Sequence, residues 1–285
     1  MIELQLDAHA KINLSLDVLG IMDNGYHDLR MVMQTIELCD RVKLEASSNG
    51  IELSCNSRYV PADNANTAWK AADLIIKQCG IKGVRISISK CIPVCAGLAG
   101  GSADAAAVIK GMNELFSLGL KREELITFGK QVGADVPFCI CEGTKLAEGI
   151  GDRLSDLPDF SGVNAVVIKP KVSVSTAMVY RMYDSITVED SERPNITKLV
   201  DGLMKKDLKL VAENMGNVLE KVTIPRYPIV QEAKDVLIEH GALGSMMSGS
   251  GPSVFGLFPC RKAAISAFKS LKEDIRWQCF LTSTN

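Results

Sequence analysis

The chain has 285 residues, of which 47% are hydrophobic and 23% are charged, and its formal net charge is −2. Such a composition is typical of a globular protein with one large core or two medium domains. No apolar run approaches the roughly 18 residues of a membrane-spanning helix, and the first residues lack the basic and apolar regions of a signal peptide. A near-neutral chain without a basic stripe also argues against nucleic-acid binding. We therefore expect a cytoplasmic protein with no membrane or nucleic-acid partner.

The nine cysteines form no metal or disulfide pattern. Their number is odd, the chain has only three histidines, and the spacings that begin at Cys91 and Cys139 match no zinc motif. Reduced and mostly buried thiols are therefore expected.

The first half of the chain is predicted to open with strands and to continue with helices. Alternating apolar residues predict strands over 3–19, 31–38, 41–46 and 51–54, with a turn at 22–25, as an antiparallel, hairpin-rich opening. The spacing becomes helical from Thr67 to Cys79, where Asn66 is the predicted N-cap and Gly80 the stop. The next predicted elements are a strand at 84–90 and helices at 103–116 and 121–132.

The second half mixes both element types. Strands are predicted at 165–169, 254–258 and 277–282, and helices at 175–183, 196–203, 207–213, 229–240 and 263–272. Residues 184–195 are polar and acidic, which predicts an exposed loop. Strands and helices are clustered rather than strictly alternating, and this favours an α+β protein of two domains with a seam near residues 150–165.

A glycine- and alanine-rich stretch, PVCAGLAGGSADAA, occupies residues 93–106 between a predicted strand and a predicted helix. A loop without side chains lets an anion approach the unpaired N–H groups of a helix N-terminus, where Ser102 is the predicted cap. The stretch lacks the Lys-Ser/Thr of a Walker loop and the spacing of a dinucleotide fingerprint. On these residues alone, a nucleotide cradle and a tight strand-to-helix connection both stay open.

Three motifs together resemble the GHMP kinase superfamily, which includes galactokinase, homoserine kinase and mevalonate kinase. They are AHAKINL at residues 8–14, the glycine-rich stretch, and MSGSGPSVF at residues 247–255. The resemblance implies a two-domain α+β GHMP kinase fold. Its N-terminal, ATP-binding domain over residues 1–157 would be like ribosomal protein S5 domain 2, and its C-terminal domain over residues 158–285 would be ferredoxin-like.

Two further segments, NGYHDL at residues 24–29 and GADVPF at residues 133–138, narrow the resemblance. Together with KINL they resemble the branch of the superfamily whose acceptor is a cytidine-diphosphate-linked methylerythritol. The resemblance implies transfer of the γ-phosphate of ATP to the 2-hydroxyl of this polyol, in the non-mevalonate route to isoprenoids. Mg²⁺ is expected with the ATP, without an assigned protein ligand. The expected assembly is a monomer or a homodimer.

The resemblance also implies the catalytic and nucleotide-binding residues. Asp135 would take the proton of the acceptor hydroxyl or orient that hydroxyl, and Lys11 within about 4–6 Å would keep the carboxylate ionised. The residues expected to bind ATP are Asn66, Lys90, Pro93, Val94, Cys95, Ala96, Gly97, Leu98, Ala99, Gly100, Gly101, Ser102 and Ala103. Cys95 is a departure from the family's usual glycine or alanine, and a positive φ there would be strained.

The residues expected to bind the acceptor are Asn13, Tyr26, His27, Thr176 and Tyr180. A tyrosine ring can cover one face of cytosine, and His27 with its neighbouring backbone can bond to the edge of the base. The C-terminal glycine motif is expected near the phosphates or the far end of the substrate, although a strand-entry turn explains it nearly as well.

Two other functions stay open on the sequence. One is a kinase for another small alcohol, such as homoserine or mevalonate. This function does not explain the Gly-Tyr-His element at residues 25–27, which is expected to bind cytosine. The other is a ligand sensor without catalysis, which disagrees with the presence of both a candidate base and a phosphate loop.

Overall fold

The computed structural model describes residues 3–285, and the chain divides into two compact units. The first unit comprises residues 3–10, 39–94 and 99–142, and the second comprises residues 11–38, 95–98 and 143–285. Strands β1 (Glu3–Ile21) and β2 (His27–Ala46) each contribute residues to both units. The domain boundary after residue 157 stays a prediction.

Strand β2 is a single strand of 20 residues, so the prediction of two strands over 31–38 and 41–46 is wrong. Asp40, which lies between the two predicted strands, is completely buried. Its carboxylate accepts hydrogen bonds from the backbone N–H groups of Cys91 and Ile92, which lets the strand continue through it.

In the first unit, β3 (Gly50–Cys55) pairs in parallel with β4 (Gly83–Ser89), and β4 pairs antiparallel with β2. The parallel pair corrects the prediction of an all-antiparallel opening, because helix α1 (Thr67–Cys79) provides the crossover between the two strands. Helix α2 (Gly100–Leu115) contacts α1, α3 (Arg122–Val132) and α4 (Val136–Cys141).

Helix α2 lies close to the sheet of the first unit at one glycine. A Cβ atom on Gly111 would stand 2.5 Å from a methyl of Leu44 and 2.7 Å from a methyl of Leu6. Because Gly111 has no side chain, the backbone of α2 can pack directly against Leu6 and Leu44 of the sheet.

In the second unit, β5 (Thr144–Gly149) pairs antiparallel with both β2 and β6 (Arg153–Asp156). The remaining strands are β7 (Asn164–Pro170), β8 (Gly216–Asn217), β9 (Gly244–Met247), β10 (Val254–Leu257) and β11 (Trp277–Ser283). Four of them form an antiparallel sheet in the order β11-β7-β10-β9, and β8 pairs in parallel with β1.

Six α-helices belong to the second unit. They are α5 (Thr176–Tyr183), α6 (Ile196–Lys205), α7 (Leu208–Glu213), α8 (Glu220–Arg226), α9 (Ile229–Glu239) and α10 (Arg261–Leu271). Helices α9 and α10 pack on the four-stranded sheet.

Candidate active site

The glycine-rich stretch leads into the N-terminus of helix α2. The helix begins at Gly100, three residues before the predicted start, and Ala99 is its N-cap. The prediction that Ser102 caps the helix is wrong, because Ser102 lies inside the first turn and the N-cap residue, Ala99, makes no side-chain hydrogen bond to it. Without a bond from the N-cap side chain, the first N–H groups of α2 can donate to a bound anion.

The loop before α2 uses left-handed backbone at three positions. The φ angles are 54° at Cys95, 73° at Gly97 and 57° at Ala99. The positive φ that would strain Cys95 is thus present. It costs roughly 1–2 kcal/mol for a residue with a Cβ atom.

The two glycines that start helix α2 leave room for neighbouring side chains. A Cβ on Gly100 would stand 3.2 Å from the Nζ of Lys90, and a Cβ on Gly101 would stand 3.2 Å from the Oγ1 of Thr67. The Oγ1 of Thr67 also donates to the carbonyl of Gly101 at 2.7 Å. Close packing therefore contributes to the choice of glycine here, beside any role in phosphate binding.

Asn66, predicted to bind ATP, is the N-cap of α1 as expected. Its Oδ1 accepts from the N–H of Ala68 at 2.8 Å, and its Nδ2 donates to the carbonyl of Pro61 at 2.7 Å. Both polar atoms of this side chain therefore hold the protein's own backbone. Its contact with ATP stays a prediction.

Lys90, also predicted to bind ATP, is part of a buried ionic cluster with Asp40 and Asp104. Its Nζ donates to both carboxylates, at 2.7 Å to the Oδ2 of Asp104. Burial together with the charge of Asp40 raises the pKa of Asp104 from 3.8 to about 7, against the opposing effect of Lys90. Although burial acts to lower it, the pKa of Lys90 is raised by the two carboxylates. The ammonium of Lys90 therefore forms ion pairs with Asp40 and Asp104, and its contact with ATP stays a prediction.

Lys11 and Asn13, on strand β1 in the second unit, lie beside the C-terminal glycine motif. Lys11 is 5% exposed and donates to the Oδ1 of Asn13 at 2.8 Å. A Cβ on Gly249 would stand 3.6 Å from the Nζ of Lys11 and 3.7 Å from the Oδ1 of Asn13. The Oγ1 of Thr176 lies 2.8 Å from the Oγ of Ser250, in the same motif. The motif thus borders the predicted catalytic lysine and two of the residues predicted to bind the acceptor, Asn13 and Thr176.

Residues 95–98 are fixed against the same motif in the second unit. A Cβ on Gly97 would stand 2.3 Å from the carbonyl oxygen of Ser248, whose own Oγ donates to the carbonyl of Gly97 at 3.0 Å. The backbone N–H of Lys11 donates to the carbonyl of Leu98 at 3.1 Å. Gly97 is therefore required by close backbone approach as well as by its positive φ.

His27 and Tyr180 come together in the second unit. Their ring centroids are 4.5 Å apart with an interplanar angle of 32°, and the Nε2 of His27 lies 2.7 Å from the Oδ1 of Asp184. The neighbouring Tyr26 is 62% exposed. Asp184 was not predicted, because it was assigned to an exposed acidic loop. Asp184 follows Tyr180 by four residues, at the end of α5, and this helical spacing could have placed it beside the predicted acceptor site.

Asp135, the predicted base, is half-buried and is the N-cap of α4 in the first unit. Its side chain does not cap that helix, so capping does not explain the presence of a carboxylate at this position. Lys11 belongs to the second unit. The pairing of Lys11 with Asp135 therefore stays a prediction.

Residues 3–285 contain neither a candidate metal cluster nor a membrane-spanning helix. In this range, no three histidine, cysteine or acidic side chains converge where they could hold a metal ion. No helix of the same range has the length and apolar character needed to cross a membrane.

The expectation of mostly buried thiols is wrong. Only Cys139 is buried among the cysteines, all of which lie in the described part of the chain, and Cys91, Cys95 and Cys260 are exposed.

Comparisons with known proteins identify the class of protein. Residues 66–143 match the family model described as GHMP kinases N terminal domain, and residues 199–275 match the model described as GHMP kinases C terminal. The chain therefore belongs to the GHMP kinases, and the predicted α+β fold is confirmed.

The relatives narrow this class. The 4-diphosphocytidyl-2-C-methyl-D-erythritol kinase of Acetivibrio thermocellus is 53% identical over 285 residues, with 100% of both chains covered. A crystal structure of 4-(cytidine 5'-diphospho)-2C-methyl-D-erythritol kinase has a TM-score of 0.83 and 30% identity, with 99% of each chain covered. Within the GHMP kinases, the chain belongs to the 4-diphosphocytidyl-2-C-methyl-D-erythritol kinase family.

A more distant structure shows the fold alone. Homoserine kinase from Cytophaga hutchinsonii has a TM-score of 0.80 at 22% identity, covering 99% of this chain and 94% of its own. The high structural similarity at low identity shows that GHMP kinases with different named acceptors share one fold. Similarity of fold alone therefore does not identify the acceptor.

Proposed function

We propose that the chain transfers the γ-phosphate of ATP to the 2-hydroxyl of 4-diphosphocytidyl-2-C-methyl-D-erythritol, a step of the non-mevalonate route to isoprenoids. The observation that carries the proposal is the 53% identity, over the full length of both chains, with an enzyme of that name. The geometry of the two units supports the donor and the acceptor separately.

Helix α2 supports ATP binding in the first unit. Aligned peptide dipoles place roughly half a positive charge at a helix N-terminus, and the N-cap residue of α2, Ala99, makes no side-chain hydrogen bond to the first N–H groups. The phosphates would accept charge-assisted hydrogen bonds from these groups, along the stretch from residue 93 to residue 103. Mg²⁺ typically binds to phosphate oxygens, water and one or two carboxylates, and no protein ligand is assigned to it here.

His27 and Tyr180 support cytosine binding in the second unit. Cytosine presents flat faces and an edge with both donors and acceptors. The exposed ring of Tyr26 and the ring of Tyr180 would cover its faces, and His27 would bond to its edge. Asn13 and Thr176 would contact the remainder of the acceptor.

The chemistry requires positioning and neutralisation of charge rather than a covalent intermediate. Lys11 is buried and bonded to Asn13, so its ammonium has a fixed place from which to stabilise a developing alkoxide. Asp135 would receive the proton that leaves the 2-hydroxyl as the new P–O bond forms, or would orient that hydroxyl. These roles require the two side chains to meet around the acceptor.

The test is ADP production from Mg-ATP and the cytidine-diphosphate polyol. We expect Asp135→Asn to lower kcat by at least ~10²-fold, the lower range for loss of a general base. Asp201→Asn is the matched control, because that carboxylate is exposed and bonded only locally to Lys205. Wild-type turnover no higher than that of Asp135→Asn would refute the proposal. Equal rates with homoserine or mevalonate would refute the assigned acceptor.

A further inference from the structure

We propose that Asp184 sets the preference of the acceptor site for cytosine, by holding His27 so that its Nδ1 is a hydrogen-bond acceptor. The inference rests on the proposed function, in which His27 bonds to the edge of the base. It adds a positioning residue that acts through His27 rather than on the substrate.

The contact between the two side chains decides which ring nitrogen carries the proton. The Nε2 of His27 lies 2.7 Å from the Oδ1 of Asp184, and the two side chains are only 15% and 34% exposed. An ionised carboxylate can only accept, so Nε2 must be the N–H nitrogen. In the neutral imidazole the other nitrogen, Nδ1, is then an acceptor.

Separate contacts hold the side chain of His27 and the backbone that precedes it. Tyr180 and Asp184 both stand at the end of α5, where the N–H of Asp184 donates to the carbonyl of Tyr180 at 3.0 Å. One helical turn therefore supplies both the stacking ring and the carboxylate. On the other side, His27 directly follows a closed turn, in which the N–H of Met22 donates to the carbonyl of Tyr26 at 2.8 Å. The bond to Asp184 and the contact with the ring of Tyr180 therefore favour one orientation of the imidazole.

This proton arrangement distinguishes the two common pyrimidines. The exocyclic amine of cytosine is a donor and pairs with an acceptor nitrogen. Uracil has a carbonyl oxygen at the same position, which would face the lone pair of Nδ1. A site built for one hydrogen-bond pattern rejects the opposite pattern, because polar groups on both sides are left unpaired.

The experiment compares cytidine- and uridine-diphosphate-linked acceptors at saturating Mg-ATP. We expect Asp184→Leu, which removes the acceptor oxygens, to raise KM for the cytidine-linked compound by about 10-fold and to lower the cytidine-to-uridine ratio of kcat/KM by about as much. The value of kcat should change little, because the reacting hydroxyl is not touched. Asp184→Asn keeps one oxygen that accepts from Nε2 and should restore most of the preference. Asp190→Asn is the control, since that side chain is fully exposed in the same segment.

Unchanged KM and unchanged base preference in Asp184→Leu would overturn the inference. Equal losses for both acceptors, with an unchanged ratio, would also overturn it, because they would indicate a purely structural role. Calorimetric titration with CDP and with UDP reads the same preference without turnover. Failure of the wild type to phosphorylate the polyol would refute the proposed function, whereas the titrations would still decide the role of Asp184.

Discussion

Replacing Asp104 by asparagine should change how the stability of the chain depends on pH. Asp104 is 2% exposed, and burial with the nearby Asp40 raises its pKa from 3.8 to about 7. Between these pH values the folded chain keeps a proton on Asp104 that the unfolded chain has lost. The free energy of unfolding therefore falls as the pH rises through this range, and the contribution levels off above about pH 7.

The size of the effect follows from the two pKa values. One tenfold change in proton affinity corresponds to about 1.4 kcal/mol, so a pKa that rises from 3.8 to about 7 corresponds to a limit on the order of 4 kcal/mol. Asparagine does not titrate, and in the variant Lys90 keeps its ion pair with Asp40. The stability of Asp104→Asn relative to wild type should therefore increase from acid to neutral pH by up to this amount.

Urea unfolding at several pH values between about 4 and 8 measures this difference directly. The titrating groups outside the cluster of Asp40, Lys90 and Asp104 are common to both proteins, so the difference between the two curves reports on the titration of this cluster. Asp73→Asn is a suitable control, because Asp73 is an exposed carboxylate of α1 bonded to Lys77 at 2.6 Å. A difference between Asp104→Asn and wild type that stays constant across the range would refute the reasoning.

Three further substitutions test the helix cap and the loop. Asn66→Ala removes the 2.8 Å bond to the N–H of Ala68 and should lower the free energy of unfolding by about 1–2 kcal/mol in urea titrations; an unchanged midpoint would contradict the cap. Cys95→Gly removes the strain of a φ of 54° and should raise the free energy of unfolding by roughly 0.5–1 kcal/mol, because the strain energy exceeds the entropic cost of ordering a glycine. A lower free energy of unfolding would contradict the presence of strain at this residue. Gly97→Ala would put a Cβ 2.3 Å from the carbonyl of Ser248 and should cost on the order of 2 kcal/mol or more, with a raised KM for ATP. Wild-type stability and ATP kinetics in that variant would show that the loop tolerates a side chain.

The local sequence determined those elements whose signals lie within a few residues of one another. Helix α1 begins at Thr67 and ends at Cys79 as predicted, with Asn66 and Gly80 as its caps, because the apolar spacing and both caps are adjacent in the chain. Taken together, the motif around Lys11 and the two glycine motifs likewise indicate the GHMP kinases from the sequence alone, since each is a contiguous run of residues. Short buried elements such as α4 escaped prediction, because nearly all of its residues are apolar and buried and no polar face marks the helical period.

Only the tertiary structure decided features whose partners are distant along the chain. His27 and Asp184 are 157 residues apart, and Lys90 and Asp40 are 50 residues apart, so no local pattern could pair them. The start of α2 at Gly100 was likewise set by its surroundings rather than by the capping preference of Ser102. Capping and periodicity are properties of neighbouring residues, whereas the partner of a buried charge is whichever group the fold brings within hydrogen-bond distance.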